Sequence, residues 1–108
     1  MKRGDIVIAV HGELGRPRPA VIVQANELGD TTSTVIVCPV TSELTARLPI
    51  RPLVEPSALN GLRTRSQIMA DKPLSLRRDR VRRTLGVLDL KTSDELDRAL
   101  LTVFGLIR

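Results

Sequence analysis

The sequence predicts a small, mostly antiparallel α+β barrel with one helix at its C-terminal end. Short runs of β-branched residues recur along most of the chain, and glycine or proline stands between them. Such runs are typical of strands, and the glycines and prolines are typical of tight turns. The last part of the chain instead has the apolar spacing of an amphipathic helix. Six or seven short strands ahead of one helix indicate an α+β fold.

The strongest strand signals lie near the N-terminal end. Residues 6–10 read Ile-Val-Ile-Ala-Val, a continuous apolar run that predicts a buried strand. Residues 11–19 contain two glycines and two prolines, so they are predicted to form a loop. A second strand is expected at residues 20–24. The third, at residues 33–40, is the strongest strand in the chain by composition.

Weaker patterns fill the middle of the chain. The apolar residues of 47–53 are interrupted by two prolines, which favours an edge strand or an extended arm. Residues 55–61 are predicted to form a turn or a single helical turn. Alternating or short apolar patterns predict further strands at residues 62–69, 74–76 and 84–88.

One helix is predicted at the C-terminal end. The segment Thr92-Ser93-Asp94-Glu95 has the form of a capping box, with Thr92 as the N-cap and Glu95 bonding back to it. Gly105 is the expected C-cap. The apolar stripe of the helix consists of Leu96, Ala99, Leu100, Val103 and Phe104.

Composition limits both the core and the partners. The 108 residues are expected to form a single domain, residues 1–108, with an aliphatic core, because Phe104 is the only aromatic residue. Net charge is +5, with 14 arginines and 3 lysines, which suits an anionic partner such as nucleic acid or an acidic protein segment. Nucleic-acid binding would have to use charge, arginine planes and hydrogen bonds rather than aromatic stacking.

Several classes of site and compartment are excluded by the sequence. A single cysteine, Cys38, allows no disulfide within the chain, and one histidine and one cysteine offer no metal-binding cluster. We therefore expect no metal and no cofactor. The N-terminal apolar run is too short for a signal peptide, and no segment approaches the length of a membrane span. The protein is expected to be cytoplasmic.

Three segments together suggest a family. Gly4-Asp5-Ile6-Val7 is followed by Arg16-Pro17-Arg18-Pro19-Ala20-Val21, and later by Thr34-Val35-Ile36-Val37-Cys38-Pro39-Val40-Thr41-Ser42. In this order and spacing they resemble the MazF/PemK (Kid) family of toxin endoribonucleases, and the resemblance covers nearly the whole chain. It implies the SH3-like barrel that this family shares with CcdB.

The resemblance implies two catalytic residues. Arg18 occupies the place of a catalytic arginine, just before the strand that begins with proline and alanine. Thr41 matches a hydroxyl at a strand end that contacts the scissile phosphate, and Ser42 is the alternative one residue further on. From the residues alone, Arg18 is also consistent with a solvated loop arginine, and Thr41 with a residue that merely ends its strand.

A third segment carries further candidates. Alternation along a strand would put Arg63, Arg65 and Gln67 on one face, either as a phosphate-binding strip or as a polar barrel face. PemK and Kid proteins have an arginine, an acid and a glutamine here, but Ser66 stands at the acidic position. A carboxylate base at this position is therefore not expected, and Asp71 lies too far along the chain to replace it.

The remaining candidates are basic or imidazole side chains. His11 is a possible catalytic residue, since PemK and Kid proteins use a histidine in their first loop, although theirs lies further into it. The run of residues 77–83 contains five arginines, which would bind RNA or an acidic antitoxin, or form a solvated loop. Candidates for such binding are Arg16, Arg77, Arg78 and Arg80.

The resemblance implies an endoribonuclease toxin that needs no metal. It would cleave single-stranded RNA, with mRNA as the first expected target and rRNA or tRNA as others, leaving a 2′,3′-cyclic phosphate and a 5′-hydroxyl. This would arrest translation and growth until an acidic cognate antitoxin binds. The family resemblance also implies a homodimer. Two alternatives are a CcdB-like gyrase poison and a basic barrel that binds nucleic acid without cleaving it.

Overall fold

The structure, a computed structural model, describes residues 1–12, 15–46 and 49–107. These residues form seven β-strands, one α-helix and two single 3₁₀ turns at Asn26–Leu28 and Arg78–Arg80. The strands are β1 (Asp5–His11), β2 (Arg16–Ile22), β3 (Thr34–Thr41), β4 (Leu53–Val54), β5 (Ser66–Ile68), β6 (Leu74–Arg77) and β7 (Val81–Val87), and the helix is α1 (Leu90–Val103).

The strands form one curled antiparallel sheet. Its order is β4-β5-β3-β2-β1-β7, and β6 also pairs with β3. One edge of β3 contacts β2, while its other edge is shared, with β6 along residues 34–37 and β5 along residues 40–41. Because β3 changes partner halfway along its length, the sheet splits there and curls into a half-barrel. The predicted antiparallel α+β barrel with a C-terminal helix is confirmed.

Strand β2 begins earlier than predicted. It starts at Arg16 rather than at residue 20, so most of the predicted loop is strand. Pro17 and Pro19 lie in the ladder with β1, but pairing of β2 with β3 begins only at Ala20. One edge of residues 16–19 therefore has no strand partner in the described part of the chain, and proline is tolerated at such an edge. The two prolines led the sequence analysis to predict a loop.

The middle strands are shorter than predicted. The edge strand expected at residues 47–53 is reduced to β4, and residues 47 and 48 lie outside the described residues. Strand β5 begins only at Ser66, because the chain before it is held by side-chain bonds instead of a ladder. Asn60 donates to the carbonyl of Glu55 (2.8 Å) and accepts from the amides of Ser57 (3.0 Å) and Leu62 (2.9 Å). The turn predicted at 55–61 is confirmed.

The turn around Asn60 packs directly on β7. The amide of Val87 donates to the carbonyl of Leu59 (3.0 Å), and a Cβ at Gly86 would overlap that same carbonyl oxygen. Only glycine allows the two backbones to approach this closely. This contact holds the turn against the end strand of the sheet.

Strand β7 begins within the arginine run. It starts at Val81 rather than at residue 84, so the arginine run is not one solvated loop: Arg78–Arg80 form a 3₁₀ turn, and Arg82 and Arg83 are exposed strand residues. The ladder with β1 also shifts register twice, which leaves Arg82 and Leu85 as extra residues on β7. Such β-bulges bend a strand and re-aim its side chains.

Apolar side chains fill both faces of the sheet. One cluster lies on the face that packs against α1, here called the helix face, and includes Ile6, Val21, Cys38, Val40, Ile68, Leu88, Leu96 and Ala99. The other lies on the opposite face, here called the inner face, and consists of Val7, Ala9, Ala20, Ile22, Val35, Val37 and Leu76. The alternation of neighbouring residues between the two clusters follows from the two-residue period of a strand.

The helix begins at a different cap from the predicted one. Asp89 is the N-cap, and its carboxylate accepts from the amide of Thr92 (2.7 Å). These hydrogen bonds with Thr92 lower the pKa of Asp89, which keeps it charged as a cap. The predicted capping box centred on Thr92 is therefore wrong, because the helix already begins at Leu90 and Asp89 caps the amide of Thr92, not Thr92 the amide of Glu95.

The helix ends as predicted. Gly105 adopts a φ of 71°, and the amide of Leu106 bonds to the carbonyl of Leu101 (2.8 Å) in a Schellman turn. The apolar stripe is only partly buried, since Leu96 and Ala99 are covered while Phe104 is 59% exposed. No helix in residues 1–12, 15–46 and 49–107 is long and apolar enough to cross a membrane.

Candidate active site

The predicted catalytic residues lie at the ends of two neighbouring central strands. Strands β2 and β3 pair Ala20 with Pro39 in antiparallel register. Arg18 and Thr41 each lie two residues beyond this last pair, on strand ends where the ladder between β2 and β3 has stopped. By alternation from Ala20 and Pro39, both side chains belong to the same face of the sheet at neighbouring strand ends.

Two further pairings extend this arrangement into a row across the sheet. Arg18 pairs with Ala9 on β1, and Thr41 pairs with Gln67 on β5. Alternation from Ala20 puts the row on the inner face. We call Arg18, Thr41 and Gln67 the polar row. It lies where the apolar cluster of the inner face ends, so buried strands support side chains at the rim.

The polar row contains Thr41 rather than Ser42. The Thr41 hydroxyl accepts from the amide of Glu43 (3.0 Å), which fixes the side chain at the strand end, and the hydroxyl can still donate its own proton. Ser42 follows the strand and is exposed. By alternation it belongs to the other face.

Gln67 anchors the segment that follows β3 rather than offering a free amide. Its side chain is buried and donates to the carbonyls of Thr45 (2.9 Å) and Arg51 (3.2 Å). Its Oε1 accepts from the amide of Thr45 (2.6 Å). With both ends of the amide engaged, Gln67 positions the segment that follows Thr41.

The predicted strip of Arg63, Arg65 and Gln67 does not form. Strand β5 begins at Ser66, so both arginines precede it and the alternation argument does not apply to them. Arg65 is exposed and pairs with Glu55 (2.6 Å). Ser66 is buried and donates to the carbonyl of Thr64 (2.9 Å), so its hydroxyl is used by the fold.

A cavity of about 550 Å³ adjoins the polar row. Gln67, Arg65 and Arg51 contribute to its lining, and Arg51 makes two bonds to Asp71 (2.9 and 3.0 Å). The bond from Arg51 is the main cause that lowers the pKa of Asp71. Asp71 is thus a charged partner of Arg51 and not a free base. Sequence reasoning missed this pair, whose members are 20 residues apart.

His11 lies beside Arg18 in a neutral state. It ends β1, is only 8% exposed and pairs with Arg16 on β2. Burial is the main cause that lowers the pKa of His11, and the positive charge of Arg18 lowers it further. Hydrogen bonding with the backbone of Pro19 and Arg18 acts in the opposite direction and raises the pKa. Its Nε2 has no hydrogen-bond partner within the described residues. An unpartnered buried nitrogen is unusual and is typical of functional or strained positions.

The predicted binding arginines divide into engaged and exposed ones. Arg78 donates to the carbonyls of Thr32 (2.9 Å) and Gly29 (2.7 Å) and pairs with Asp30 (3.3 Å). Its guanidinium joins the end of β6 to the turn at residues 29–32 ahead of β3, so Arg78 is engaged by the fold. Arg77 bonds Asp79. Arg16 and Arg80 are exposed.

The family follows from a comparison with known proteins. Residues 2–104 match the model of a family described as PemK-like, MazF-like toxin of type II toxin-antitoxin system. The chain therefore belongs to this family of toxins, and the family predicted from the sequence is confirmed.

Similar proteins agree with this assignment. A relative from Mycolicibacterium smegmatis, named "Probable endoribonuclease MazF", is 35% identical over 108 residues, which cover 98% of both chains. A solved mycobacterial endoribonuclease in complex with its cognate antitoxin has a TM-score of 0.85 at 24% identity, covering 100% of this chain and 98% of that one. Toxin MazF-mt6 of Mycobacterium tuberculosis has a TM-score of 0.81 at 24% identity, covering 94% and 96%. At such identities the structures show a shared fold.

The buried state of His11 predicts a pH dependence of stability. Its pKa is lowered in the folded protein, so below about pH 6.5 the unfolded chain binds the proton more readily. The free energy of unfolding should therefore fall as the pH falls through about 6.5 and further below it. Urea titrations from about pH 7.5 to well below pH 6.5 should show a steeper loss in the wild type than in His11→Gln. Equal slopes in the two proteins would contradict burial of a neutral imidazole.

Proposed function

We propose that this toxin is an endoribonuclease that cleaves single-stranded RNA at a specific sequence and without a metal. The observation that carries the proposal is that Arg18 and Thr41 both lie two residues beyond the Ala20–Pro39 pair, on the same face of the sheet at its rim. The M. smegmatis relative named as a probable endoribonuclease supports it. Among the described residues, no three His, Cys, Asp or Glu side chains are grouped as metal ligands.

Cleavage would proceed by attack of the 2′-hydroxyl on the adjacent phosphorus. The 2′-oxygen forms a bond to phosphorus, the 5′-oxygen leaves, and a 2′,3′-cyclic phosphate and a 5′-hydroxyl result. Negative charge grows on the equatorial phosphate oxygens in the transition state. The fork of Arg18 can donate two bonds to those oxygens, and such donors strengthen as charge develops.

Thr41 and Arg18 have different parts in this reaction. The Thr41 hydroxyl, fixed by the Glu43 amide, would donate to the phosphate and hold it in line for attack. Arg18 cannot be the general base, because an arginine side chain keeps its proton at neutral pH. It stabilises the transition state and is suited to protonate the leaving oxygen.

His11 is our candidate for the group that takes the 2′-proton. A neutral imidazole can accept a proton at neutral pH, and His11 ends the strand that pairs with Arg18. Because its Nε2 is covered in this structure, RNA binding would have to uncover it. A water molecule is the alternative acceptor. Asp71 and Ser66 are both engaged elsewhere.

The substrate is proposed to be single-stranded for a geometric reason. In-line attack requires the 2′-oxygen to turn toward the phosphorus, and a helical duplex does not allow this. Sequence-specific proteins also read bases that are splayed out of the stack. With Phe104 as the only aromatic residue, base contacts here would rely on hydrogen bonds and arginine planes.

The partners follow from charge and family. We propose an acidic cognate antitoxin in the cytoplasm, whose chain runs over residues 16–18 and covers the polar row. A net charge of +5 attracts such a segment, and salt should weaken the complex mainly through the association rate. A solved mycobacterial relative binds its antitoxin. An antitoxin that stops cleavage while RNA binds with unchanged affinity would contradict occlusion.

The first prediction concerns the polar row. Arg18→Ala should lower the rate of RNA cleavage by about 10²- to 10³-fold while the fold persists, because one lost transition-state donor costs that much. Thr41→Ala should reduce the rate less, and Ser42→Ala should leave it near the wild type. Cleavage of a single-stranded RNA pool in EDTA measures all three.

Arg83→Ala is the matched control for charge. Arg83 pairs with Ile8, so it belongs to the helix face, and like Arg18 it is exposed. Its loss should change cleavage little. If Arg18→Ala cleaved at the wild-type rate, the proposed role of Arg18 would be wrong; if Ser42→Ala were the inactive variant, the hydroxyl would be Ser42.

The second prediction concerns assembly. Leu101, Phe104, Leu106 and Ile107 form an exposed apolar surface at the end of α1, with Leu106 70% exposed. Burying such a patch favours association, so we expect a homodimer. Sedimentation at micromolar concentration should give twice the chain mass, and Leu106→Asp should shift it toward one chain more than Leu90→Asp at the other end of α1. A wild type that sediments as one chain would refute the dimer.

A further inference from the structure

Strand β7 brings a further arginine close to the polar row. Ala9 on β1 pairs with Arg18 on one side and with Val81 on the other. One position earlier, Ile8 pairs with Arg83. Arg82 is therefore the extra residue of a β-bulge and stands, together with Val81, opposite Ala9.

Alternation assigns Arg82 to the inner face. Its neighbour Arg83 pairs with Ile8, which by alternation from the buried Ile6 belongs to the helix face. Val81 packs against the inner cluster, as its pairing with Ala9 requires. The bulge thus leaves two consecutive residues, Val81 and Arg82, on the same side, an effect typical of bulges near functional sites.

Arg82 and Arg18 therefore flank one small side chain. Ala9 is fully buried between them, and each arginine is exposed. Two strand spacings, about 10 Å, separate the two backbones. Long flexible side chains at that separation can hold two groups of one extended ligand at once.

The surroundings of Arg82 remain positive. Asp79 is the acidic group beside it, but Arg77 bonds that carboxylate and is the main cause that lowers its pKa. The charges of Arg80 and Arg82 act in the same direction. The charges of three arginines thus act on one carboxylate, and no ion pair joins Arg82 to a carboxylate of the described residues.

We propose that Arg82 binds a second phosphate of the RNA, adjacent to the phosphate held by Arg18 and Thr41. This inference rests on the proposed ribonuclease function. A guanidinium grips a phosphate with two parallel bonds, and phosphate contacts set the register of a nucleic acid without reading its sequence. Arg82 would then fix which phosphodiester bond lies at Arg18.

The test compares two neighbouring arginines. Arg82→Ala and Arg83→Ala remove the same charge from adjacent exposed positions on opposite faces. A single-stranded 2′-O-methyl RNA pool, which lacks the attacking hydroxyl, serves as a binding probe that cannot be cleaved. We expect Arg82→Ala to raise its Kd by about 10-fold and to lower the salt slope by about 0.7, the loss of one phosphate contact on a single strand.

The kinetic readout separates binding from chemistry. On cleavable RNA, Arg82→Ala should raise KM and leave kcat near the wild type, because a phosphate away from the reacting bond is bound equally in the ground and transition states. Arg83→Ala should change Kd and KM by less than about 2-fold, as a charge without a phosphate contact. Arg82→Lys should restore part of the affinity, since it keeps the charge but not the fork.

Each other outcome overturns the inference. Equal losses in Arg82→Ala and Arg83→Ala would mean a general charge effect, and an unchanged Kd in Arg82→Ala would mean no contact. If Arg82→Ala fails to fold, Arg82→Gln is measured against Arg83→Gln with the same expectations. If the wild type cleaves RNA and Arg82→Ala and Arg83→Ala give the same Kd and KM, the inference about Arg82 is wrong and the proposed ribonuclease function stands. If the wild type neither binds nor cleaves RNA, the inference and the proposed function are both wrong.

Discussion

The register of the three central strands is the constraint on which both the fold and the candidate site depend. Strands β1, β2 and β3 carry apolar side chains on both faces, and each face packs into its own cluster. A slip of one residue would exchange the two faces and put side chains such as Ile6 and Val21 where Ala9 and Ala20 now fit. Because the buried parts cannot slip, the strand ends that extend beyond them are also held in place.

The positions of the candidate catalytic residues at the rim depend on this strand register. Arg18 and Thr41 belong to the same face at neighbouring strand ends because Ala20 and Pro39, two residues away from each in the core, are paired. Arginine side chains are flexible, so a rigid origin for each one reduces the conformational freedom that a bound phosphate must remove. Rigid strands thus supply the preorganisation that a flexible loop could not.

The arginines of this chain carry the same charge but make different kinds of contact. Arg51 and Arg78 join segments that are distant in the sequence, through Asp71 in the first case and through the Gly29–Thr32 turn in the second. Arg65 and Arg77 make exposed pairs, which contribute little stability. Arg18 has no ion pair with a described carboxylate. The number of arginines in the sequence is therefore larger than the number that are available to a ligand.

Much of this fold could be predicted from local patterns. The buried strands β1 and β3 follow from continuous β-branched runs, and the end of α1 follows from Gly105. The start of β2 was missed because Pro17 and Pro19 indicate a loop unless one knows that this part of the strand lacks a second partner. The start of α1 was missed because Asp89 and Thr92 are both good caps.

Less of the candidate site than of the fold could be predicted from local sequence patterns. Arg18 and Thr41 came from a family resemblance, since nothing in the spacing of two strands reveals their register. The engagement of Arg51 by Asp71, and of Arg78 by the turn at residues 29–32, joins residues far apart in the chain. Such contacts depend on tertiary packing. The bulge that adds Arg82 to β7 likewise needs the pairing with β1 to be seen.

The position of the single cysteine has a practical consequence. Cys38 is fully buried in the middle strand of the sheet, and desolvation raises the pKa of its thiol to about 12. Thiol reagents react with the thiolate, so the folded toxin should be inert to them. Cys38 should react only when the sheet separates from α1 and exposes the thiol. The rate of alkylation of Cys38 therefore measures how often the sheet and α1 separate and open the core.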